Sequence, residues 1–386
     1  MNVLVLTLSF GSGHVRASQA VANEVVAQAP TANVRVVDAL ADAHPLFRMC
    51  YEWPYWLMLR HAPSIWNRLN SARHEQMHES TAPGWAFRVG CRKVFQAIET
   101  FRPDVIVAVE VAACEISAIA TQAKITRAPI LCVITDYEAE PIWVKPEVSA
   151  FTVADESGRT ELIDWGAPAD SIFVTGIPID ASFSERCDGK ATRLRYGITD
   201  NLPVVVLMGG GMGPSRMDQV TNALANSNTP LHMIAIAGRD RRAHRRLRKL
   251  RVEPPSTLSV LGWADNVPAL MEAADVLVTK PGGLTTLEAA AASLPVVFFD
   301  PIPGAEFINA KRMVDAGAAV LTGGAQQTAH AVLSLLEDET RRHAMAVSAK
   351  SFARPNARRD IAALALELAN ASWSVAAENE RARRVA

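Results

Sequence analysis

The sequence predicts an α/β protein of two doubly wound domains. Three observations lead there. Short apolar runs alternate with helical patterns along the whole chain, and runs that are continuous rather than alternating belong to parallel strands covered on both faces. The same order of runs starts again after a break at residues 176–203. The 386 residues, 49% of them hydrophobic, suffice for two packed cores.

In chain order the first set of strands is expected at Val3–Leu8, Val34–Val37, Val105–Val109, Ile130–Ile134, Phe151–Ala154 and Ile172–Thr175. The second set is expected at Val204–Met208, Met233–Ala237, Leu258–Leu261, Val276–Val278 and Val296–Phe299. Domains at 1–180 and 200–350 follow. The break contains "GIPID" and "CDGK" without a sustained period and reads as a linker. Residues 351–386 read as a C-terminal helix, its pattern ending near Ala371, and a polar, mobile tail. Residues 44–87 differ in texture, holding four of the eight tryptophans (Trp53, Trp56, Trp66 and Trp85) beside Arg and His. Such an insertion suits either a wet–apolar boundary or an aromatic subdomain packed on the first sheet.

Composition narrows the partners. A formal net charge of -1 creates no global field for nucleic acid. Five scattered cysteines without a CxxC pair argue against a disulfide framework or a zinc site. No metal and no cofactor are expected. The start, MNVLVLTLSF, lacks a basic leader, and no run reaches the roughly 18 to 20 apolar residues of a spanning helix. A cytoplasmic protein is expected, at most resting on a membrane surface.

Four loops carry chemistry. "LSFGSGHVRAS" follows the first strand and opens a helix, with Gly11 and Gly13 permitting close approach and His14 in the first turn. The helix dipole there disfavours imidazolium, so His14 tends to stay neutral and able to accept a proton; the bland alternative is a surface or capping histidine. "VITDYE" ends a strand at Asp136, a carboxylate at the sheet edge or a simple cap. "LMGGGMGPSR" places Gly209, Gly210, Gly211 and Gly213 after the first strand of the second domain, off the spacing of a dinucleotide fingerprint. "TKPGGLTTLEAA" sets Gly282 and Gly283 before a helix containing Glu288. Backbone N–H groups at such a helix start can cradle a phosphate, although Gly-Gly alone also suits a plain turn. Two Gly-rich turns in one domain suit one diphosphate.

Taken in order, "SFGSGH", "TDYEAEPIWVKPEVSAFTVADE", "VTGIPID", "MGGGMGP", "LGWADNVPALMEAADVLVTKPGGLTTLEAA" and "PGAEFINA" resemble the monogalactosyldiacylglycerol synthase and processive diacylglycerol glucosyltransferase group of glycosyltransferase family 28. The resemblance covers roughly residues 1–350 and is most specific over 261–310. It implies a GT-B fold, two Rossmann-like domains facing a central cleft, with a lipid acceptor on the first and a UDP-sugar on the second. The implied reaction is inverting transfer of a hexose from the UDP-sugar to a diacylglycerol-like hydroxyl. By resemblance His14 is the base and Asp136 its helper or an acceptor-site contact. Glu288 then meets the ribose, Gly282, Gly283, Leu284 and Thr285 the diphosphate with Gly210 and Gly211, and the backbone at Trp263 and Ala264 the uracil, with Glu306 also on the donor side. Gly13, Trp53, Trp56 and Trp143 are expected on the acceptor or membrane side.

This chain departs from the group at Ala305, where a Gln is usual, and at Glu140, where processive members have His; it also differs around Glu110. A UDP-sugar 2-epimerase and a non-catalytic UDP-sugar or lipid binder are the alternatives. The basic run at 238–251 reads as a solvated helix face or as attraction to the anionic inner face of a membrane.

Overall fold

The computed structural model describes residues 1–61, 80–184, 187–198, 202–209, 216–302 and 304–385, and at 55–56, 59–61 and 372–385 the backbone alone. The chain divides into two units, Met1–Asp180 with Asn356–Ala386, and Ala181–Pro355.

In the first unit six strands, β1 (Asn2–Thr7), β2 (Asn33–Asp38), β3 (Val105–Val109), β4 (Ile130–Val133), β5 (Val148–Val153) and β6 (Ile172–Val174), form one parallel sheet in the order β2-β1-β3-β4-β5-β6. Val105 through Val109 are wholly buried, which is why β3 reads as an unbroken apolar run. Among the described residues up to Asp180 the α-helices are α1 (Ser12–Gln28), α2 (Pro45–His61), α3 (Gly84–Gly90), α4 (Arg92–Phe101), α5 (Val111–Gln122) and α6 (Glu156–Asp164). The connection from β1 runs to β2 on one side, while β3 lies on the other. The strand order therefore reverses between β1 and β3, and in open α/β sheets ligands bind beyond the carboxyl ends of the strands at such a point.

Both readings of the aromatic segment find a face. Phe47 stacks on Tyr51 at 5.5 Å, both meet Phe87, and Phe87 is buried in the first core. Leu46, Met49, Trp53 and Leu57, spaced as one stripe of α2, are exposed, as are Trp85 and Val89 of α3. The return of this segment is fastened by Glu115 of α5, whose buried carboxylate accepts from the Thr81 N–H at 3.0 Å and from the Ser80 and Thr81 hydroxyls. Trp66 lies outside the described residues.

The second unit repeats the plan. β7 (Val204–Met208), β8 (His232–Ile236), β9 (Thr257–Leu261), β10 (Val276–Thr279), β11 (Val296–Phe298) and β12 (Ala319–Leu321) are parallel in the order β12-β11-β10-β7-β8-β9. Its helices are α7 (Gly189–Arg195), α8 (Met217–Ala225), α9 (Arg241–Leu247), α10 (Val267–Ala273), α11 (Gly283–Ala291), α12 (Ala305–Asp315), α13 (Ala325–Glu337) and α14 (Glu339–Phe352). The order reverses between β7 and β10, so the two Gly-rich loops leave the strands on either side of the reversal.

Three features differ from the sequence reading. β12 adds a sixth strand, too short at three residues to show a period. The stretch read as a linker contains α7, which is capped by Asp188 and tied to the sheet by Arg193 through Asp275 at 2.9 Å. The C-terminal helix α15 (Ala357–Val385) belongs to the first unit: Ala357, Ile361, Ala365 and Ala369 are buried, and Arg358 pairs with Glu24 of α1 at 3.1 Å. Alanine at three of these four positions lets α15 lie close on α1.

Candidate functional site

In the first unit the chain leaves β1 through Ser9–Gly11 and enters α1, whose opening turn holds Ser12, Gly13 and His14. Gly11 is extended, so its backbone does not require glycine, and a Cβ there would meet nothing within 4 Å. Small size leaves room beside the unpaired N–H groups of the helix start. His14 is half-buried, and its Nδ1 lies 2.9 Å from the Oγ1 of buried Thr135, the residue before Asp136. With Nδ1–H donating to Thr135, Nε2 is the basic nitrogen. Burial lowers the His14 pKa, and the Asp136 charge opposes that in part. The structure thus joins His14 and Asp136 electrostatically and adds Thr135, which the sequence reading missed. A threonine next to a strand-end aspartate gave no signal of its own.

Trp143, expected on the acceptor or membrane side, is 5% exposed within the first core, on a single 3-10 turn, which takes its ring away from a membrane surface. Its neighbourhood of apolar strand ends claims it. Trp53 is exposed, whereas the Trp56 side chain lies outside the described residues.

In the second unit Gly282 caps α11, and a Cβ on it would meet nothing within 4 Å. Leu284 and Glu288 are buried, Thr285 is half-buried, and Thr286 returns its hydroxyl to the Gly282 carbonyl at 2.9 Å. Glu288 stands one turn past the open helix start. Asn309 of α12, wholly buried, donates from Nδ2 to the Pro281 carbonyl at 3.1 Å and fixes the shape of the loop. Glu306 accepts from the Ile302 N–H at 2.6 Å, and Ala305 opens α12. At the end of β9, Trp263 donates from Nε1 to Asp265 at 2.8 Å, the Arg239 guanidinium lies 4.6 Å from its ring centre, and Ala264 is buried. Gly210 and Gly211 lie outside the described residues. The end of their loop is held by Arg216, which pairs with Asp300 through two hydrogen bonds, one of 2.7 Å.

Lys280 escaped the sequence reading. It is 7% exposed between β10 and the Gly-Gly turn; burial lowers its pKa, Glu306 opposes that, and Arg216 adds to it. A lone lysine closing a buried strand just before two glycines was the signal available. Buried lysines are rare unless something anionic meets them. Among the described residues no group of three or more His, Cys, Asp or Glu is placed to hold a metal, and no helix is long and apolar enough to cross a membrane.

Comparison with known proteins decides the class. The family described as monogalactosyldiacylglycerol (MGDG) synthase matches residues 14–179, and the family described as glycosyl transferases group 1 matches residues 197–352. The chain is a GT-B glycosyltransferase, and its first unit is similar to the monogalactosyldiacylglycerol synthases. It is 26% identical over 355 residues to a processive diacylglycerol beta-glucosyltransferase of Bacillus cereus (strain AH187), covering 92% of this chain and 90% of the relative. The same figures hold for the one of Bacillus anthracis (strain A0248). Among solved structures this glycosyltransferase shares its fold with Acinetobacter baumannii MurG (TM-score 0.62, 17% identity, 95% of this chain and 99% of that one). Anabaena Alr3699/HepE in complex with UDP-glucose is similar too (TM-score 0.58, 18% identity, 97% and 100%). The UDP-GlcNAc 2-epimerase of Neisseria meningitidis also shares the fold (TM-score 0.59, 15% identity, 95% and 100%), so the fold does not separate transfer from epimerisation, whereas the two family matches favour transfer.

Proposed function

We propose that this glycosyltransferase moves a hexose from a UDP-sugar to the hydroxyl of a diacylglycerol-like lipid with inversion, using no cofactor beyond the donor. The observation that carries it is the pairing of features at the two strand-order reversals: a half-buried histidine oriented by a threonine at one, and an open helix start followed by a buried glutamate and lysine at the other. Nε2 of His14 takes the proton of the acceptor hydroxyl as its oxygen bonds to C1 of the sugar. The bond from C1 to the diphosphate oxygen breaks, and the electron pair leaves with UDP. N–H groups of α11 and the Lys280 ammonium meet that charge. Glu288 accepts hydrogen bonds from the ribose hydroxyls, with Gly282, Gly283, Leu284 and Thr285 at the diphosphate, Gly210 and Gly211 beside it, Trp263 and Ala264 at the base and Glu306 at the sugar.

Glu288→Ala is expected to weaken UDP binding by about 1.5 to 3 kcal/mol, the scale of hydrogen bonds to a charged group. Calorimetry on the folded variant checks this. An unchanged affinity would remove Glu288 from the donor site. Incubation with labelled UDP-sugars and a total lipid extract then names the sugar and the acceptor.

The acceptor's site of residence gives a further element of the proposal. Each buried CH₂ is worth about 0.8 kcal/mol, so a lipid is met at the bilayer rather than drawn out of it. The exposed stripe Leu46, Met49, Trp53 and Leu57, with Trp85 and Val89, is an apolar face suited to headgroup depth, and the exposed arginines of α9 add attraction to anionic lipid. Trp53→Ala combined with Trp85→Ala is expected to reduce sedimentation with anionic vesicles several-fold and leave UDP affinity alone. Equal sedimentation would assign these aromatics to another role.

A further inference from the structure

Each sheet has two outer strands, and an outer strand presents a row of backbone groups that another chain can pair with. Three of the four outer strands are blunted. β6 and β12 are three residues long, and β2 carries the exposed Arg35 in its middle. β9 differs: it is five residues long, and its sequence TLSVL has neither charge nor proline.

The outward side of β9 is fixed residue by residue. Thr257 donates its N–H to the Leu231 carbonyl at 3.1 Å, and the Leu261 carbonyl accepts from the Ala237 N–H at 2.9 Å. Backbone groups alternate in direction along a strand, so Thr257, Ser259 and Leu261 face β8 while Leu258 and Val260 turn their N–H and C=O away from it. Leu258 and Val260 also line a groove of about 640 Å³, together with Leu247, Arg248, Leu250 and Val252. Its apolar lining meets a basic rim. Residues 241–256 hold seven Arg and Lys against one carboxylate, Glu253, and Arg248, Lys249 and Arg251 are exposed.

An extended peptide supplies what this edge lacks: main-chain donors and acceptors at the strand's own repeat, apolar side chains for the groove and carboxylates for the rim. A bilayer surface supplies the charge without the row of donors. We propose that the outward edge of β9 is a docking site for an extended acidic segment of a partner protein, which adds a strand to the second sheet. Its apolar residues enter the groove, and flanking Asp or Glu meet Arg248, Lys249 and Arg251.

Fluorescence anisotropy on the full chain tests this with fluorescein-labelled Asp-Glu-Asp-Val-Thr-Val-Thr-Val-Glu-Asp. One control peptide has lysine in place of each acid. The other is the acidic peptide N-methylated through its Val-Thr core, which keeps the charge and cannot pair. The parent is expected to bind the acidic peptide about tenfold or more tightly than either control, and less tightly as salt rises. Leu258→Pro removes one outward donor at a position where an outer strand tolerates proline. Arg248→Glu combined with Lys249→Glu and Arg251→Glu reverses the rim. Each variant is expected to lose about tenfold or more of the affinity while melting and binding UDP as the parent does. Should Leu258→Pro melt lower, the N-methylated peptide and the exposed rim variant decide the outcome. A parent that binds none of the peptides, or binds the acidic and N-methylated ones equally, would overturn the proposal, as would folded variants that keep the parent's affinity. A rim reversal that lowers sedimentation with phosphatidylglycerol vesicles but spares the peptide would give the patch to the bilayer and overturn it too.

Discussion

His14→Ala is expected to lower turnover by about two to four orders of magnitude, the contribution typical of a general base, while UDP binding is unchanged. The residues proposed for the donor are in the second unit, and His14 is in the first. The pH profile gives an independent check. A base works in its neutral form, and burial lowers the His14 pKa below its ordinary 6.5, with Asp136 offsetting part of that. Turnover should hold as pH falls to 6.5 and decline only below it. Asp136→Asn removes the offset, so the acid limb should move to still lower pH. An acid limb at or above 6.5, or a limb that survives in His14→Ala, would assign the base to another group. Single-turnover rates and calorimetric UDP titrations separate the two effects.

Most of the fold was legible because a strand buried on both faces has no polar alternation to confuse it. β3 is Val105–Val109 in the chain as it was in the pattern, and β10 differs by one residue. The reversal points were not legible, since sheet order is a property of crossovers and not of any one strand. Those points nevertheless gave the loops their meaning: Gly-Gly at 282–283 is an ordinary turn in sequence and an open helix start at a reversal in the sheet. Features missed depend on partners far along the chain. The alanines of α15 read as a C-terminal helix apart from the first domain because α1, against which they lie, is more than 300 residues earlier, as the Arg358–Glu24 pair shows with its separation of 334 residues. Trp143 belongs to a tryptophan-rich chain whose exposed and buried tryptophans share one composition; only packing separates it from Trp53. Asn309 and Thr135 act through hydrogen bonds across loops, and nothing in "GAEFINA" or "VITDYE" marks the side chain that would make them.

Lys280→Met is expected to lower turnover by about two to three orders of magnitude, the cost of removing one donor aimed at developing negative charge. Methionine keeps the length and apolar stem of the side chain, so packing at a position only 7% exposed is little disturbed. Burial is the main cause of the lowered Lys280 pKa, and the Arg216 charge lowers it further, while Glu306 works against both. A diphosphate beside the amine favours the charged form and so binds more tightly when the lysine is protonated. UDP affinity should accordingly fall as pH rises, beginning at a lower pH than an exposed lysine with a pKa of 10.5 would give. In Lys280→Met that pH dependence should vanish along with most of the affinity. Calorimetry across pH, in buffers of different ionisation enthalpy, also counts the proton taken up on binding. A variant that binds UDP as the parent does, with the same pH dependence and the same turnover, would leave Lys280 as the partner of Glu306 alone. The leaving-group charge would then rest on the α11 N–H groups and the glycine loop that ends at Arg216.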